Sequence, residues 1–329
     1  MSGRTTLLDR YRGTIEGGLR RALAGPSPLD AILRYHVGLA DAEPPALGKL
    51  LRPSLVLFTA EELGATVESA LPAAVALELV HGFSLIHDDI QDRDEIRRGR
   101  PAVWARWGIA EAINAGDMMH AIAVRSALDA APDVARALLE ATIEMIEGQS
   151  LDLSFEKRFV TADEYLDMVD RKTGALFRCA LRSGGRIAGV DEEVQERLED
   201  LGRTVGRAFQ IQDDLLGIWG DGDILGKPTA SDVRRRKKSF PVVLAHAKAG
   251  DEDRSKLERI YEDAEKSIEA VDVDWVVGLL DRLDVEGQGR ETVRDYLLRA
   301  CGIVDSLPLS ADARGELKDL IEVLARRDK

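Results

Sequence analysis

Cysteine is nearly absent. Cys179 and Cys301 are the only two in 329 residues, they form no CxxC pair, and the fold cannot rest on a disulfide framework; this usage fits a reducing cytoplasm. Alternating apolar/polar runs are scarce, which argues against a β-sheet protein. No apolar stretch reads as reaching membrane-spanning length, and the opening MSGRTTLLDRYRG has no signal-peptide core, so no membrane span is expected. Positive charge is outweighed: the formal net charge is -14, which excludes nucleic acid as a general partner and leaves any basic cluster to act locally on a small anion. Linkers, low-complexity tracts and composition shifts are also missing.

What remains is helical periodicity. Leu8, Tyr11, Ile15 and Leu19 near the start, and Leu317, Leu320, Ile321 and Leu324 near the end, repeat at helical spacing, with Ser310 placed to cap the last helix. Turn residues interrupt the pattern at Gly25-Pro26-Ser27-Pro28, Glu43-Pro44-Pro45, Ala131-Pro132-Asp133, Gly220-Asp221-Gly222-Asp223 and Ala249-Gly250-Asp251. The expectation is an all-α fold: one helical bundle over residues 1–329, organised around a central cavity.

Two acidic clusters stand inside apolar, helix-like runs: Asp88, Asp89 and Asp92 in SLIHDDIQD, and Asp213 with Asp214 in FQIQDDLLG. Adjacent carboxylates after Phe83, Leu85 and Ile86 lose hydration on packing and repel one another, so a cation must compensate. An oxygen-only ligand set favours a hard divalent ion, and Mg2+ is usually held by one or two carboxylates plus substrate phosphates. Helical spacing puts Leu77, His81, Ser84, Asp88 and Asp92 on one stripe with Asp89 at its shoulder, and Gly206, Gln210, Asp213 and Gly217 on another. Cations follow both clusters: Arg97-Arg98-Gly99-Arg100-Pro101 after the first, Gly226-Lys227-Pro228 and Arg234 to Lys238 after the second. An anionic ligand shared between metal and side chains accounts for both, and phosphate suits it.

Six ordered segments then resemble the trans-isoprenyl diphosphate synthases, the family of farnesyl and geranylgeranyl diphosphate synthases. They are GKLLRP (Gly48 to Pro53), ELVHGFSLIHDDIQDRDEIRRGRPAVW (Glu78 to Trp104), EGQSLDL (Glu147 to Leu153), RKTGALF (Arg171 to Phe177), GRAFQIQDDLLG (Gly206 to Gly217) and GKPTASDVRRRKKSFPV (Gly226 to Val242). The resemblance implies an isoprenoid synthase bundle and a head-to-tail prenyltransferase that ionises an allylic diphosphate, condenses it with isopentenyl diphosphate and eliminates a proton. It implies Mg2+, three ions per active site, on Asp88, Asp92 and Asp213 with Asp89 and Asp214 as further acidic members. Arg97, Lys172, Lys227 and Lys237 would hold the allylic diphosphate. Thr173 and Gln210, with Lys172, would flank the reacting carbon and assist proton removal. Lys49, Arg52, His81 and Arg98 would cradle isopentenyl diphosphate. A cytoplasmic homodimer is the family's usual state.

Taken alone, Lys49 and Arg52 read as surface cations, Thr173 as an ordinary helix residue and His81 as a core histidine; their motifs give them roles. One position departs from the pattern, since the third aspartate common in the second motif is Gly217 here. That keeps three other readings in view: a class I terpene cyclase, a non-catalytic subunit of a heteromeric prenyl synthase, and an HD-type phosphohydrolase using His87, Asp88 and His36. The intact isopentenyl cradle speaks against a cyclase, and the intact first motif against a silent subunit. By resemblance, Phe83 and Ser84, five and four places before Asp88, form the floor of the product tunnel. A twenty-carbon product is the first expectation and fifteen carbons the second.

Overall fold

The structure is a computed structural model that describes residues 6–40, 47–220, 230–262 and 268–325. It is almost wholly helical, as the periodicity predicts. In chain order the helices are α1 (Leu7–Ala22), α2 (Asp30–Val37), α3 (Leu51–Glu62), α4 (Val67–Gln91), α5 (Val103–Trp107), α6 (Ile109–Ala130), α7 (Pro132–Phe155), α8 (Ala162–Val169), α9 (Ala175–Ala188) and α10 (Glu192–Trp219). They continue with α11 (Ser231–Arg234), α12 (Phe240–Lys248), α13 (Asp251–Glu262), α14 (Ala270–Arg282), α15 (Val285–Ser306) and α16 (Ala311–Ala325). The break at residues 25–28 falls between α1 and α2, those at 131–133 and 249–251 mark the α6–α7 and α12–α13 junctions, where Pro132 and Asp251 open the following helix, and Ser310 Oγ accepts from Ala313 N at 3.1 Å to cap α16. The breaks at 43–45 and 221–223 lie outside the described residues.

The chain divides into two compact units. One comprises Met1–Thr142, Leu176–Glu199 and Leu307–Glu316; the other Ile143–Ala175, Asp200–Ser306 and Leu317–Lys329. In the first, α4 is the central element, packed against α1, α3 and α6. Thr66 caps its start by accepting from Ser69 N at 3.2 Å, and the run from Ala73 to Val80 is buried on every side. A helix apolar all round belongs in a core. This corrects the reading that no run reaches spanning length: α4, with 25 residues and a mean hydropathy of 1.5 over its 18-residue window, is long and apolar enough, yet 67% of that window is buried inside the protein. The second unit has its own core, including Phe155, Tyr165, Ile211, Leu215, Phe240 and Val243.

Two local features were not anticipated. A hairpin joins β1 (Ile96–Arg97) to β2 (Arg100–Pro101), pairing Arg97 with Arg100. Both turn residues are left-handed, Arg98 at φ 53° and Gly99 at φ 72°, as a two-residue turn matched to strand twist requires. Asp170–Gly174 forms a π-helical turn between α8 and α9, a distortion frequent at functional sites.

Candidate functional site

In the first unit the acidic motif occupies the end of α4. Asp88 is half-buried, Asp89 is 1% exposed, and Asp92 is the exposed C-cap residue. The next residue, Arg93, takes φ 56°, and Asp94 N donates to Asp89 O at 2.9 Å, closing the helix in a Schellman-type turn. The chain thereby doubles back into the hairpin, and Arg97 lands on Asp89: its Nε donates to Oδ1 at 2.8 Å and its Nη2 to the same oxygen. Burial pushes the Asp89 carboxyl above the usual carboxylate range, against the pull of Arg97. Its Oδ2 is buried with no hydrogen-bond partner. An orphaned buried oxygen beside two more carboxylates one helical turn apart fits a hard cation. Among the described residues no three His, Cys, Asp or Glu groups are drawn together as a ready cage. Mg2+ does not need one, because it keeps waters and takes substrate oxygens.

The predicted isopentenyl cradle lies in the same unit. Arg52 Nη1 sits 3.3 Å from His81 Nε2 and its guanidinium covers the Phe177 ring at 4.8 Å. Arg98, at the hairpin tip, reaches over Gly48, where a Cβ would come within 2.7 Å of Nη2; Lys49 is exposed beside it. His81 is held well below its ordinary pKa by burial and by Arg52 and Arg98, and His36 is pushed down to about 3 by burial with Arg98 and Arg97. At neutral pH both imidazoles are therefore uncharged, and the arginines carry the positive charge. One group escaped the sequence reading: Glu78, one turn before His81 and 7% exposed. Burial raises its carboxyl to about 7 despite the opposing pull of Arg98 and Arg52.

Residues predicted for the allylic side gather in the second unit, apart from Arg97. Asp214 is 1% exposed and each of its oxygens accepts twice. Oδ1 accepts from Gln210 Nε2 at 3.0 Å and Lys237 Nζ at 3.2 Å; Oδ2 accepts from Phe240 N at 2.8 Å and from the Tyr165 hydroxyl. A carboxylate has about four lone-pair sites, so in this structure Asp214 organises its neighbours while Asp213 is the exposed member of the pair. Thr173 Oγ1 donates to Gln210 Oε1 at 2.7 Å, extending the chain of hydrogen bonds to the π turn. Lys172 Nζ pairs with Asp152 Oδ2 at 2.5 Å, and Lys172 and Lys237 together overcome burial to hold the Asp152 carboxyl below its usual range. Asp152 and Tyr165 were missed by sequence reasoning. The EGQSLDL segment contains Asp152, but nothing in its spacing shows that Lys172 lies across from it.

Gly148 of that segment explains the π turn's position. A Cβ there would overlap the Lys172 backbone nitrogen, so only glycine lets α7 and the turn approach so closely. Gly217, the departure from the family pattern, has a comparable cause: the space of its missing side chain is filled by the Asp232 carboxylate, 6% exposed and 3.9 Å from Lys237 Nζ. Of the basic run, Arg234 closes the short α11, Lys237 points at Asp214 and Lys238 Nζ donates to Glu156 O at 2.6 Å. Lys227 lies outside the described residues. The HD-type reading finds no support in the geometry: His36 lies against Gly82, whereas His87 lies against Gly116 with its Nε2 3.9 Å from Asp117.

An all-helical fold with two aspartate motifs, each joined to its own cations, is the arrangement of an isoprenoid synthase. The chain belongs to the polyprenyl synthetase family, whose pattern matches residues 40–277. It is 47% identical over 232 residues to the (2E,6E)-farnesyl diphosphate synthase of Mycobacterium tuberculosis, covering 68% of this chain and 65% of that protein; it thus spans slightly under two thirds of that relative's length. The geranylgeranyl diphosphate synthase of the same organism is 36% identical over 333 residues, 98% of this chain and 93% of the relative. Among solved structures, the polyprenyl synthetase from Streptomyces coelicolor A3(2) superposes with a TM-score of 0.87 at 37% identity, covering 97% of this chain and 98% of that one. The resemblance read from the six motifs and the all-α expectation are both borne out.

Proposed function

We propose that this protein is a head-to-tail prenyltransferase that joins isopentenyl diphosphate to an allylic diphosphate, with Mg2+ as its metal. The observation that carries this reading is the Arg52–His81–Arg98 cluster, a second cationic site distinct from the pairs around the aspartates. A cyclase acting on one diphosphate has no use for it.

In this reading Asp88, Asp92 and Asp213 hold the metal, which when bound stabilises the charge growing on the departing diphosphate. Arg97, Lys172 and Lys237, with Lys227, bind the allylic diphosphate and keep it oriented. Their carboxylate partners Asp89, Asp152 and Asp214 fix where each cation points. Arg52, Arg98 and Lys49 hold the isopentenyl diphosphate, which departs intact in the product, so this cradle only needs to bind. His81, being neutral, offers a ring N–H or lone pair rather than charge. Thr173, within the π turn, and Gln210, which accepts from it, bring hydroxyl and amide oxygens able to steady positive charge and accept a proton. Phe83, 7% exposed on the same helix as Asp88, stops the growing chain, with twenty carbons the favoured length and fifteen the next. The working form is a cytoplasmic homodimer in which residues 1–329 act as one synthase domain.

The test is direct: incubate the protein with isopentenyl diphosphate, Mg2+ and each allylic starter, then size the products. Condensation supports the reading. Cyclic hydrocarbon from an allylic diphosphate alone, or no product with any starter, overturns it.

A further inference from the structure

Four consecutive residues of the π turn each meet a partner on a neighbouring helix, and one of these pairs has no part in the chemistry of condensation. Lys172 meets Asp152, and Arg171 Nη1 meets Glu147 Oε2 at 2.7 Å, both on α7. The other two face α10. Thr173 donates to Gln210, and Asp170, three residues before Thr173, pairs with Arg207, three residues before Gln210. These contacts are rungs about one turn apart that join the turn and α10 in a single register. The Asp170 rung is a fork: Arg207 Nε donates to Oδ1 at 2.7 Å and Nη2 to Oδ2 at 2.6 Å. Its Nη1 reaches the Tyr296 hydroxyl of α15 at 3.4 Å, and the guanidinium carbon lies 5.9 Å from the Tyr296 ring centroid.

Exposed ion pairs contribute little, and the Arg171 pair, with side chains 39% and 53% exposed, is of that kind. The fork is different. Its side chains are 25% and 18% exposed, and both carboxylate oxygens are engaged in the planar geometry that arginine alone offers, so orientation is fixed as well as distance. Bonding to Asp170 raises the guanidinium pKa further above its ordinary value, so it stays charged. The backbone it acts on is also irregular. A π turn is rare and the α-helix on either side is the ordinary alternative, so contacts from outside the turn decide which of its residues faces which neighbour. A slip by one residue would carry Lys172 away from Asp152 and Thr173 away from Gln210.

We infer that Arg207 and Asp170 are positioning residues of the allylic side: their fork pins the π turn in the register that presents Lys172 to the diphosphate and Thr173 to the reacting carbon. The inference rests on the condensation reading for those two roles. Arg207 and Asp170 act through Lys172 and Thr173 and make no contact with substrate themselves. Misplacing a reacting group by about 1 Å can cost about a hundredfold in rate. Losing the fork leaves Thr173–Gln210 as the one rung to α10, about which the turn can shift by that much.

The experiment uses the full chain and two uncharged variants, Arg207→Gln and Asp170→Asn, which remove the ion pair without adding bulk. Turnover and KM are measured with Mg2+ for geranyl diphosphate and for isopentenyl diphosphate, each at saturating co-substrate. Each variant is expected to lower kcat about tenfold or more and to raise KM for geranyl diphosphate about threefold or more, while KM for isopentenyl diphosphate stays within about twofold of wild type. The double variant is expected to be no slower than the slower single one, because the two residues act as one pair. Arg207→Lys keeps the charge without the fork and is expected to remain at least about threefold slower than wild type; where an uncharged variant unfolds below the assay temperature, it carries the same comparison. Wild-type kcat and KM in these variants overturn the inference. An equal rise in KM for both substrates also overturns it, being the mark of general loosening, as do effects that multiply in the double variant. If wild type condenses nothing, the condensation reading falls first, and titration of geranyl diphosphate with Mg2+ into wild type and variants tests the pinning by itself: weaker binding in the variants supports it, and equal binding overturns it.

Discussion

Glu78 offers the sharpest test of the electrostatics of the isopentenyl cradle. Glu78 is 7% exposed, and burial raises its carboxyl pKa from 4.5 to about 7 against the attraction of Arg98 and Arg52. The folded state therefore holds a proton that the unfolded state releases between these values. Stability is unaffected below the unfolded pKa and falls as pH rises toward the folded one, because there the native protein binds more protons than the denatured chain. One pKa unit corresponds to about 1.4 kcal/mol, so the penalty grows by roughly 2–3 kcal/mol between pH 5 and pH 8. Glu78→Gln removes the titration and keeps the shape. The variant's stability relative to wild type is thus expected to improve by that amount on going from pH 5 to pH 8, read from urea unfolding followed by circular dichroism. Difference infrared of wild type minus variant should show a protonated carboxyl at pH 5 that is lost by pH 8. The same stability difference at both pH values would refute the reasoning, since it would mean that Glu78 is ionised throughout or is not buried.

The other predictions concern the diphosphate sites and Gly217. Asp88→Ala is expected to lower turnover by about a thousandfold or more, on the order of 4 kcal/mol of lost leaving-group stabilisation, and chelation should abolish activity until Mg2+ is restored; turnover near wild type in the variant sinks the metal assignment. Arg52→Ala is expected to raise KM for isopentenyl diphosphate about tenfold or more with little change for the allylic partner, whereas Lys237→Ala should do the reverse and also loosen Asp214, as substrate titrations at fixed co-substrate will show. Gly217→Asp writes the family's third aspartate back in, yet it drives a side chain into the Asp232 carboxylate. A loss of roughly 1–3 kcal/mol in stability is expected, eased by the second change Asp232→Gly; a single variant as stable as wild type counts against the packing described at α10.

Much of this protein was legible before any contact was known, because it is local. Apolar spacing at three and four residues placed α1 and α16, the apolar runs around the two acidic motifs placed α4 and α10, and helical spacing set Asp88 beside His81 and Ser84, and Asp213 beside Gln210. A helix converts sequence separation directly into a shared face, so six short motifs were enough to identify the family. Contacts between distant segments were decided only by the tertiary structure. Spacing could not show that Arg97 closes on Asp89, that Tyr165, Phe240 and Lys237 fill the lone pairs of Asp214, or that Asp152 waits for Lys172. Nor could it show the left-handed turn that lifts Arg98, the π turn that needs Gly148, or the fork between Arg207 and Asp170. Burial is the physical reason. Whether a carboxylate is a free ligand, a paired anchor or, like Glu78, a proton-holding acid depends on how much water packing removes and which partners it leaves, and those belong to the folded chain as a whole.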